Sequence, residues 1–323
     1  MTDPMRKNAR PRVLYAGRPA EAEAWMKALH SASHEAAVEI EATSDLDRFE
    51  PSLVDYVLFT PSGTIDDLRP YTGLKGVLSL WAGVETFLDR PDLPVSAPLV
   101  RMVEPGLTEG MTDYVVAHAM RYHMDLDGAL KRSAERRWDD VHPPLSRLRT
   151  VGILGLGALG QDAARTLRAL RFNVIGWSRT QKTIEGVTCL AGHDGLEKVL
   201  SASEILIVLL PQTPETVGLL NAERLALLPK GAYVINAARG PVLPEADLLS
   251  ALEDGLGGAT LDVFDEEPLP ETHPYWAHEK ITITPHVASV TRPETASKEV
   301  VRQIKRVESG MPFEHVVDKT RGY

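Results

Sequence analysis

The sequence has a single cysteine, no long apolar run and no block of positive charge. Cys189 alone cannot form an internal disulfide or a multi-thiolate metal site, so we expect a reducing compartment, the cytoplasm. The longest aliphatic run, residues 205–210, is far shorter than the roughly 18 residues of a membrane span, and we expect no signal peptide. The sequence therefore predicts neither a secreted nor a membrane-spanning protein.

Acidic residues outnumber basic ones. The chain has 35 lysine and arginine residues against 45 aspartate and glutamate residues, with a formal net charge of -10 at pH 7. Phosphate backbones and anionic lipids repel such a protein, so we expect neither nucleic acid nor a membrane as a partner. The sequence has no H-E-x-x-H motif and no cysteine cluster, so we predict no catalytic metal. A small molecule is the expected partner.

The chain length and the pattern of apolar residues predict an α/β fold with two domains. The 323 residues, 43% of them hydrophobic, suffice for two domains of about 150 residues each. Short apolar runs alternate with stretches of helical period, which is typical of parallel β/α sheets. The first third contains predicted strands at residues 13–16, 54–60 and 77–80 and predicted helices at 20–30 and 65–70.

The rest of the chain repeats this alternation after one longer helix. A helical pattern at residues 114–138 ends before a pair of prolines and predicts a helix that bridges the domains. A last helix at residues 293–308 is expected to return to the first domain. The predicted strands between them are residues 149–154, 173–177, 204–210, 232–236, 258–263 and 281–283.

A glycine-rich turn stands between the first of these strands and a helix. Residues 155–160 fit the dinucleotide-binding pattern G-x-G-x-x-G. Gly155 permits the tight turn, Gly157 lets a pyrophosphate approach the helix N-terminus, and Gly160 allows close helix packing. The alternative is an ordinary glycine loop, which the strand and helix context disfavours. The predicted cofactor-binding residues of this turn are Gly155, Gly157, Ala158, Leu159 and Gly160.

The end of the second strand of this unit predicts which dinucleotide binds. NAD sites place Asp or Glu there for the ribose 2'-hydroxyl, but this chain has Trp177-Ser178-Arg179-Thr180. The hydroxyls of Ser178 and Thr180 and the guanidinium of Arg179 suit a 2'-phosphate. We therefore predict NADP(H) in preference to NAD(H), with NAD(H) left open. The alternative is that Arg179 is a solvated loop residue.

Three polar residues follow apolar strands at the predicted carboxyl edge of the same sheet. They are Arg239, Glu267 and His286. A guanidinium can polarise a carbonyl and bind a carboxylate, an imidazolium can donate a proton to a new alkoxide, and a carboxylate can orient the imidazole. Each residue alone would more often be a solvated surface group, but the set predicts hydride transfer to a carbonyl.

Five segments, in this order, resemble the D-isomer-specific 2-hydroxyacid dehydrogenases. They are residues 152–160, 210–216, 235–240, 261–270 and 284–289. The resemblance covers most of the chain and implies a Rossmann cofactor domain, residues 113–291. This domain is inserted into a flavodoxin-like substrate domain formed by residues 1–112 and 292–323. The resemblance also implies a homodimer formed through the cofactor domain.

The resemblance implies roles for individual residues. Arg239 would bind the substrate's 2-oxo and carboxylate oxygens, His286 would be the acid/base, and Glu267 would be its partner. The resemblance implies further cofactor contacts at Leu210, Pro211, Thr216, Ala237 and Asp262. Of these, Asp262 would contact the nicotinamide side of the cofactor. The resemblance also implies a loop whose backbone N–H groups bind the substrate carboxylate, formed by Trp81, Ala82, Gly83 and Val84. The alternative is that these residues form a plain strand-to-helix turn.

Within the family, the chain is most similar to members that reduce glyoxylate and hydroxypyruvate. The similarity lies in residues 177–179 and 291–293 and in the short first domain. It implies NADPH-dependent reduction of small 2-ketoacids, glyoxylate to glycolate and hydroxypyruvate to D-glycerate. Two alternatives stay open: a different or bulkier 2-hydroxy acid, and a nucleotide-sensing binding protein on the same fold. Trp138 either reaches a partner subunit's site or packs in a core.

Overall fold

The computed structural model describes residues 10–60, 63–88, 90–94, 96–318 and 320. Its contacts divide the chain into two compact units. The first consists of residues 1–107 and 291–323, and the second of residues 108–290. The sequence predicts divisions after residues 112 and 291, whereas the contacts divide the chain after residues 107 and 290.

The first unit contains a parallel sheet of five strands within the described residues. They are β1 (Arg12–Ala16), β2 (Glu41–Thr43), β3 (Tyr56–Phe59), β4 (Gly76–Ser79) and β5 (Leu99–Val100), in the order β2-β1-β3-β4-β5. This is the strand order of flavodoxin-like sheets. The helices of this unit are α1 (Ala22–Glu35), α2 (Glu85–Leu88) and α9 (Pro293–Glu308).

Both faces of this sheet are covered, as its apolar strands require. Every residue of β3 and β4 is buried, which is typical of parallel strands with helices or loops on both sides. On one face, α1 and α9 pack against the strands through Trp25, Val300 and Ile304. On the other, Phe59 of β3 meets Phe87 of α2 edge to face.

The predicted helix at residues 65–70 is wrong, because this segment is an irregular loop. Leu68 is fully buried, and its N–H donates to the Asp92 carboxylate at 2.8 Å. The next N–H, that of Arg69, donates to the side chain of Asp67 at 3.0 Å. Carboxylates thus take the backbone donors that a helix would need.

The second unit contains a parallel sheet of seven strands within the described residues. They are β6 (Thr150–Leu154), β7 (Asn173–Trp177), β8 (Thr188–Leu190), β9 (Ile205–Val208), β10 (Tyr233–Asn236), β11 (Gly258–Leu261) and β12 (Ile281–Ile283), in the order β12-β11-β10-β9-β6-β7-β8. This is the Rossmann order with one further strand, β12. The predicted fold class, two parallel β/α domains, is confirmed.

The predicted helix at residues 114–138 is two helices. α3 (Pro105–His123) begins earlier than predicted, and α4 (Leu126–Ala134) follows it after a break. Asp125 lies in the break at φ +50°, a left-handed conformation that Asp adopts more readily than most residues. The other helices are α5 (Ala158–Ala169), α6 (Gly192–Ala202), α7 (Ala222–Leu225) and α8 (Glu245–Glu253). Among the described helices, none has the length and apolar character needed to cross a membrane.

Candidate active site

The glycine-rich turn lies where the strand order of the second sheet reverses. β6 pairs with β7 on one side and β9 on the other, and ligands of open α/β sheets bind at the carboxyl edge of such a point. Gly155 has φ +104°, and a Cβ there would lie 2.4 Å from the Leu209 carbonyl oxygen. A Cβ on Gly160 would lie 1.9 Å from the Gly155 carbonyl oxygen. Both positions therefore require glycine.

Gly157 stands at the opening of this turn. It is the N-cap of α5, and a Cβ built on it meets no atom of the described chain within 4 Å. Open space thus lies at the N-terminus of a helix, where unpaired N–H groups and the helix dipole favour an anion. The arrangement fits the pyrophosphate of a dinucleotide.

The turn after β7 presents a cation at the predicted 2'-phosphate position. Arg179 and Thr180 are exposed, whereas Ser178 is buried and its hydroxyl donates to the Thr180 carbonyl at 2.8 Å. The charge of Arg179 is felt by Glu215, whose pKa is lowered by a hydrogen bond from Thr213 and by this guanidinium. Arg179 is therefore an exposed positive group of the turn, and the Ser178 hydroxyl already has a partner within it.

The predicted cofactor residues after β9 and β10 lie at neighbouring strand ends. The Thr216 hydroxyl donates to the Pro211 carbonyl at 2.7 Å and accepts the N–H of Thr213 at 2.8 Å, which closes the loop after β9. Leu210 and Ala237 are buried where the two strands end. These residues extend the same carboxyl edge from the glycine-rich turn toward the next strands.

The structure brings the three predicted catalytic residues together. Arg239 follows β10, Glu267 follows β11 and His286 follows β12. These strands are parallel neighbours, so the segments after them share one edge of the sheet. His286 Nδ1 lies 2.7 Å from Glu267 Oε2, and the charge of Arg239 acts on both side chains. Within the described ranges, no group of three or more His, Cys, Asp or Glu side chains could hold a metal ion.

The surroundings of the His286–Glu267 pair favour its charged form. The hydrogen bond to Glu267 raises the pKa of His286, against burial and the Arg239 charge, which lower it. Burial raises the pKa of Glu267, but hydrogen bonds from His286 and from the Phe264 N–H, at 2.9 Å, together with both positive charges, bring it below its ordinary value. Because Nδ1 faces Glu267, Nε2 is the ring nitrogen left for a substrate.

A buried asparagine holds the Arg239 loop, and the sequence analysis assigned it no role. Asn236 accepts the Ala238 N–H at 3.1 Å and donates to the Arg239 carbonyl at 3.2 Å. Nη1 of Arg239 donates to the Ala238 carbonyl at 2.6 Å. The sequence signal for this role was an amide side chain at the end of an otherwise apolar strand.

A buried aspartate holds the loop that carries His286. The carboxylate of Asp262 accepts the N–H groups of Val287 and Ala288 at 2.9 Å each and the Thr284 hydroxyl at 2.6 Å. His286 itself has φ +53°, a left-handed conformation that is uncommon for a residue with a side chain. Asp262 is a predicted cofactor contact, and in the structure its carboxylate binds the backbone of the two residues that follow His286. Thr284 had no predicted role.

The predicted substrate loop lies in the first unit, between β4 and α2. The Ser79 hydroxyl donates to the Trp81 carbonyl at 2.9 Å and accepts the Trp81 N–H at 3.0 Å, which fixes the start of the loop. The Trp81 indole is 37% exposed, and the Arg18 guanidinium lies 5.9 Å from its ring centroid. Val84 is buried, and the two residues before it are partly exposed.

Sequence comparison relates the chain to known reductases. Residues 116–288 match the family model described as D-isomer specific 2-hydroxyacid dehydrogenase, NAD binding domain. A glyoxylate/hydroxypyruvate reductase A from Yersinia enterocolitica is 44% identical over 256 residues, which are 77% of this chain and 82% of that protein. A protein of the same name from Serratia proteamaculans is 43% identical over 256 residues.

Solved structures resemble the chain over nearly its whole length. A D-isomer specific 2-hydroxyacid dehydrogenase from Xanthobacter autotrophicus Py2, in complex with NADPH and MES, has a TM-score of 0.90 and 40% identity, covering 98% of this chain and 100% of that one. An NADPH-dependent glyoxylate/hydroxypyruvate reductase from Sinorhizobium meliloti, in complex with NADP and sulfate, has a TM-score of 0.87 and 37% identity, covering 97% and 100%. Both similarities include the first unit as well as the second.

Proposed function

Because the chain belongs to the D-isomer-specific 2-hydroxyacid dehydrogenases and is therefore an oxidoreductase, we propose that it reduces small 2-ketoacids with NADPH. The leading substrates are glyoxylate and hydroxypyruvate, which would give glycolate and D-glycerate. The observation that carries the proposal is the hydrogen-bonded pair of His286 and Glu267 beside the charge of Arg239. The names of the similar reductases support the choice of substrates.

The residues present fit NADP(H). The open space at Gly157, before α5, suits the pyrophosphate, and Arg179 suits the 2'-phosphate that a carboxylate would repel. Leu210, Pro211, Thr216, Ala237 and Asp262 remain the predicted contacts along the rest of the edge. When bound, NADPH supplies the hydride that the ketone carbon accepts. Two similar proteins were solved with NADPH or NADP, which supports this cofactor.

Three side chains of the second unit bind the substrate and transfer the proton in this proposal. Arg239 binds the substrate's carboxylate and 2-oxo oxygens and polarises the carbonyl. The raised pKa of His286 extends the protonated form of its ring to higher pH, and in that form Nε2–H can protonate the oxygen of the reduced carbonyl. Glu267 orients the ring and stabilises its positive charge. In the oxidative direction the same Nε2 accepts the proton.

In this proposal the first unit contributes to substrate binding but not to cofactor binding. The second unit, with the glycine-rich turn and Arg179, binds the cofactor. The first unit supplies the loop Trp81–Val84, whose backbone N–H groups after Trp81 hold the substrate carboxylate, because the Trp81 N–H already donates to the Ser79 hydroxyl. The anchored start of this loop, fixed by Ser79, supports a binding role because a preorganised backbone binds at lower entropic cost.

A spectrophotometric panel tests the function. Purified protein is assayed at 340 nm with NADPH or NADH against glyoxylate, hydroxypyruvate, pyruvate and an aromatic 2-ketoacid. We expect oxidation of NADPH with the first two substrates and a kcat/KM for NADPH well above that for NADH. Higher kcat/KM with the aromatic acid would contradict the substrate assignment, and absence of turnover with all four would favour a nucleotide-sensing protein.

An arginine variant in the same assay tests the cofactor assignment. Arg179→Ala removes a charge-assisted contact worth about 1.5–3 kcal/mol, so KM for NADPH is expected to rise by about 10- to 100-fold. KM for NADH should stay within about twofold, because NADH has no 2'-phosphate. Lys182→Ala, which removes another cation after β7, is the control and should change neither value. Equal effects of Arg179→Ala on both cofactors would sink the assignment.

A segment of the second unit supports the predicted homodimer. Large apolar side chains are exposed along α4 and the chain after it, namely Leu126, Leu130, Trp138, Val141, Leu145 and Leu148. Trp138 is fully exposed, so the alternative that it packs in a core of its own chain is wrong. Exposed apolar residues concentrated in this way mark interaction surfaces. A second copy of this chain is the proposed partner.

Light scattering tests the dimer. On a size-exclusion column with a light-scattering detector, the wild type is expected to have the mass of two chains. The double variant Leu130→Asp/Trp138→Asp is expected to have the mass of one chain, because dimerisation would bury two unpaired carboxylates in each chain, which is costly. Trp276→Asp is the control, since this exposed tryptophan lies outside the segment. A monomeric wild type, or a double variant that still dimerises, would exclude this surface.

A further inference from the structure

Helix α3 is bonded to two neighbouring strands of the second sheet by tyrosine hydroxyls. Tyr114 Oη lies 2.7 Å from Thr284 Oγ1, directly after β12, and Tyr122 Oη lies 2.6 Å from Thr260 Oγ1 in β11. The His118 ring lies between them, 4.5 Å from the Tyr114 ring and 3.4 Å from Thr260 Oγ1 through Nδ1. The two tyrosine–threonine contacts are alike in chemistry, but Thr284 lies in the loop before His286 whereas Thr260 lies within β11.

The contact of Tyr114 continues to the catalytic loop. Thr284 has one hydroxyl proton, which it donates to Asp262 at 2.6 Å. The contact with Tyr114 must therefore have the tyrosine as donor and the threonine as acceptor. Burial raises the pKa of Tyr114, which keeps this donor protonated. The result is a directed chain of two hydrogen bonds from α3 to the Asp262 carboxylate.

Asp262 connects this chain to the backbone beside His286. The same Oδ1 that accepts the Thr284 hydroxyl also accepts the Val287 N–H at 2.9 Å, and Oδ2 accepts the Ala288 N–H. The N–H of His286 in turn donates to the backbone carbonyl of Asp262 at 2.9 Å. These contacts surround a residue at φ +53°, a conformation that persists only where its neighbours enforce it.

We propose that Tyr114 is a positioning residue for the reaction: through Thr284 and Asp262 its hydroxyl holds the loop on which His286 meets Glu267. The inference rests on the proposed function for its catalytic meaning and on the observed contacts for its geometry. Without the Tyr114 hydroxyl, the Thr284 hydroxyl loses the proton that it accepts from α3, and its bond to Asp262 is no longer fixed from that side. The His286 loop then relaxes from its left-handed backbone, and the bond between His286 and Glu267 weakens.

Few charged groups lie near His286 and Tyr114, the residues that the hydrogen bonds through Thr284 and Asp262 connect. Glu267, Arg239 and Asp262 act on His286. Asp262, Arg121 and Tyr122 act on Tyr114, together with the adjacent His118 ring, whose own pKa is lowered by burial and by Arg121. Tyr114→Phe changes none of these charges. A change in the titration of His286 in this variant therefore reports a change in geometry, because the charges are the same.

Two matched variants test the proposal in the full-length protein. Tyr114→Phe is expected to lower kcat for glyoxylate reduction by about 3- to 10-fold with little change in KM for NADPH, and to move the alkaline limb of the pH profile to lower pH. Tyr122→Phe removes the same kind of bond from the same helix, but its partner Thr260 lies within β11, outside the hydrogen bonds that hold the His286 loop in the described part of the chain. It should leave kcat and the limb unchanged. Thr284→Val should reproduce the Tyr114→Phe effect, and Thr284→Ser should restore most of the activity.

A titration without substrate separates this inference from the proposed function. The pKa of His286 is measured by NMR on histidine-labelled protein, with His286→Ala to identify its signal. A lower pKa of His286 in Tyr114→Phe but not in Tyr122→Phe supports the positioning role even if no ketoacid is reduced. Equal pKa values in the wild type and both variants, or equal losses of kcat in both variants, would overturn it.

Discussion

Replacement of His286 by alanine is expected to lower kcat for glyoxylate and hydroxypyruvate reduction by about 10²–10⁴-fold. General acid catalysis contributes this much, and His286 Nε2, the ring nitrogen that does not face Glu267, is the proposed proton donor to the new alkoxide. NADPH binding should be nearly unchanged, because the predicted cofactor contacts at Gly157 and Arg179 follow other strands of the sheet. Steady-state kinetics gives the first quantity, and quenching of protein fluorescence by NADPH gives the second.

A second histidine–carboxylate pair provides the control. His273 Nε2 lies 3.1 Å from Glu245 Oε2 in the same unit, without a guanidinium assigned beside it. His273→Asn removes an imidazole that is paired like His286, so it tests whether loss of any such pair impairs the enzyme through stability. We expect its kcat to stay within about threefold of the wild type. Substantial turnover by His286→Ala, or an equal loss in both variants, would remove His286 from the acid/base role.

The sequence pattern predicted the apolar strands and also β12, but among the described strands it missed the short β2, β5 and β8. β3, β4 and β9 are buried at every residue and stand out as apolar runs. β2 has three residues of intermediate burial and β5 only two residues, so neither has a pattern of its own. They are strands because β1 and β4 offer them an edge to pair with. The break at Asp125 was missed because helical periodicity continues on both sides of it.

The site could be predicted as far as it depends on chain order. Parallel strands place their carboxyl ends at one edge, so polar residues after strands predicted the set of Arg239, Glu267 and His286. The residues that hold these groups in place were not predictable in this way. Tyr114 and Thr284 are 170 positions apart, and no local pattern shows that their hydroxyls meet. Such links depend on how a helix packs on a sheet, which periodicity does not determine.

Replacement of Glu267 by glutamine is expected to move the alkaline limb of kcat/KM for reduction to lower pH. The carboxylate raises the pKa of His286 by its hydrogen bond and its charge, against burial and Arg239. A neutral amide removes the negative charge of Glu267, so that burial and Arg239 lower the pKa of His286 against the charge of Asp262 and a weaker, neutral hydrogen bond. In the proposed reaction, reduction requires the protonated ring, so activity is present below the pKa of His286 and is lost as pH rises through it. On the alkaline side of the profile we expect kcat/KM to fall relative to the wild type, by about tenfold for each unit by which the pKa of His286 drops, with recovery toward the wild type at acid pH.

The oxidative direction gives an independent check on this assignment. Oxidation of glycolate requires the neutral ring, so its rate rises with pH through the pKa of His286, and Glu267→Gln should shift that acid limb to lower pH as well. A loss caused by misplacement of the ring alone would lower both rates without moving either limb. Glu245→Gln, which alters the His273 pair, should move neither limb. Unmoved limbs in Glu267→Gln would show that Glu267 orients His286 without setting its pKa.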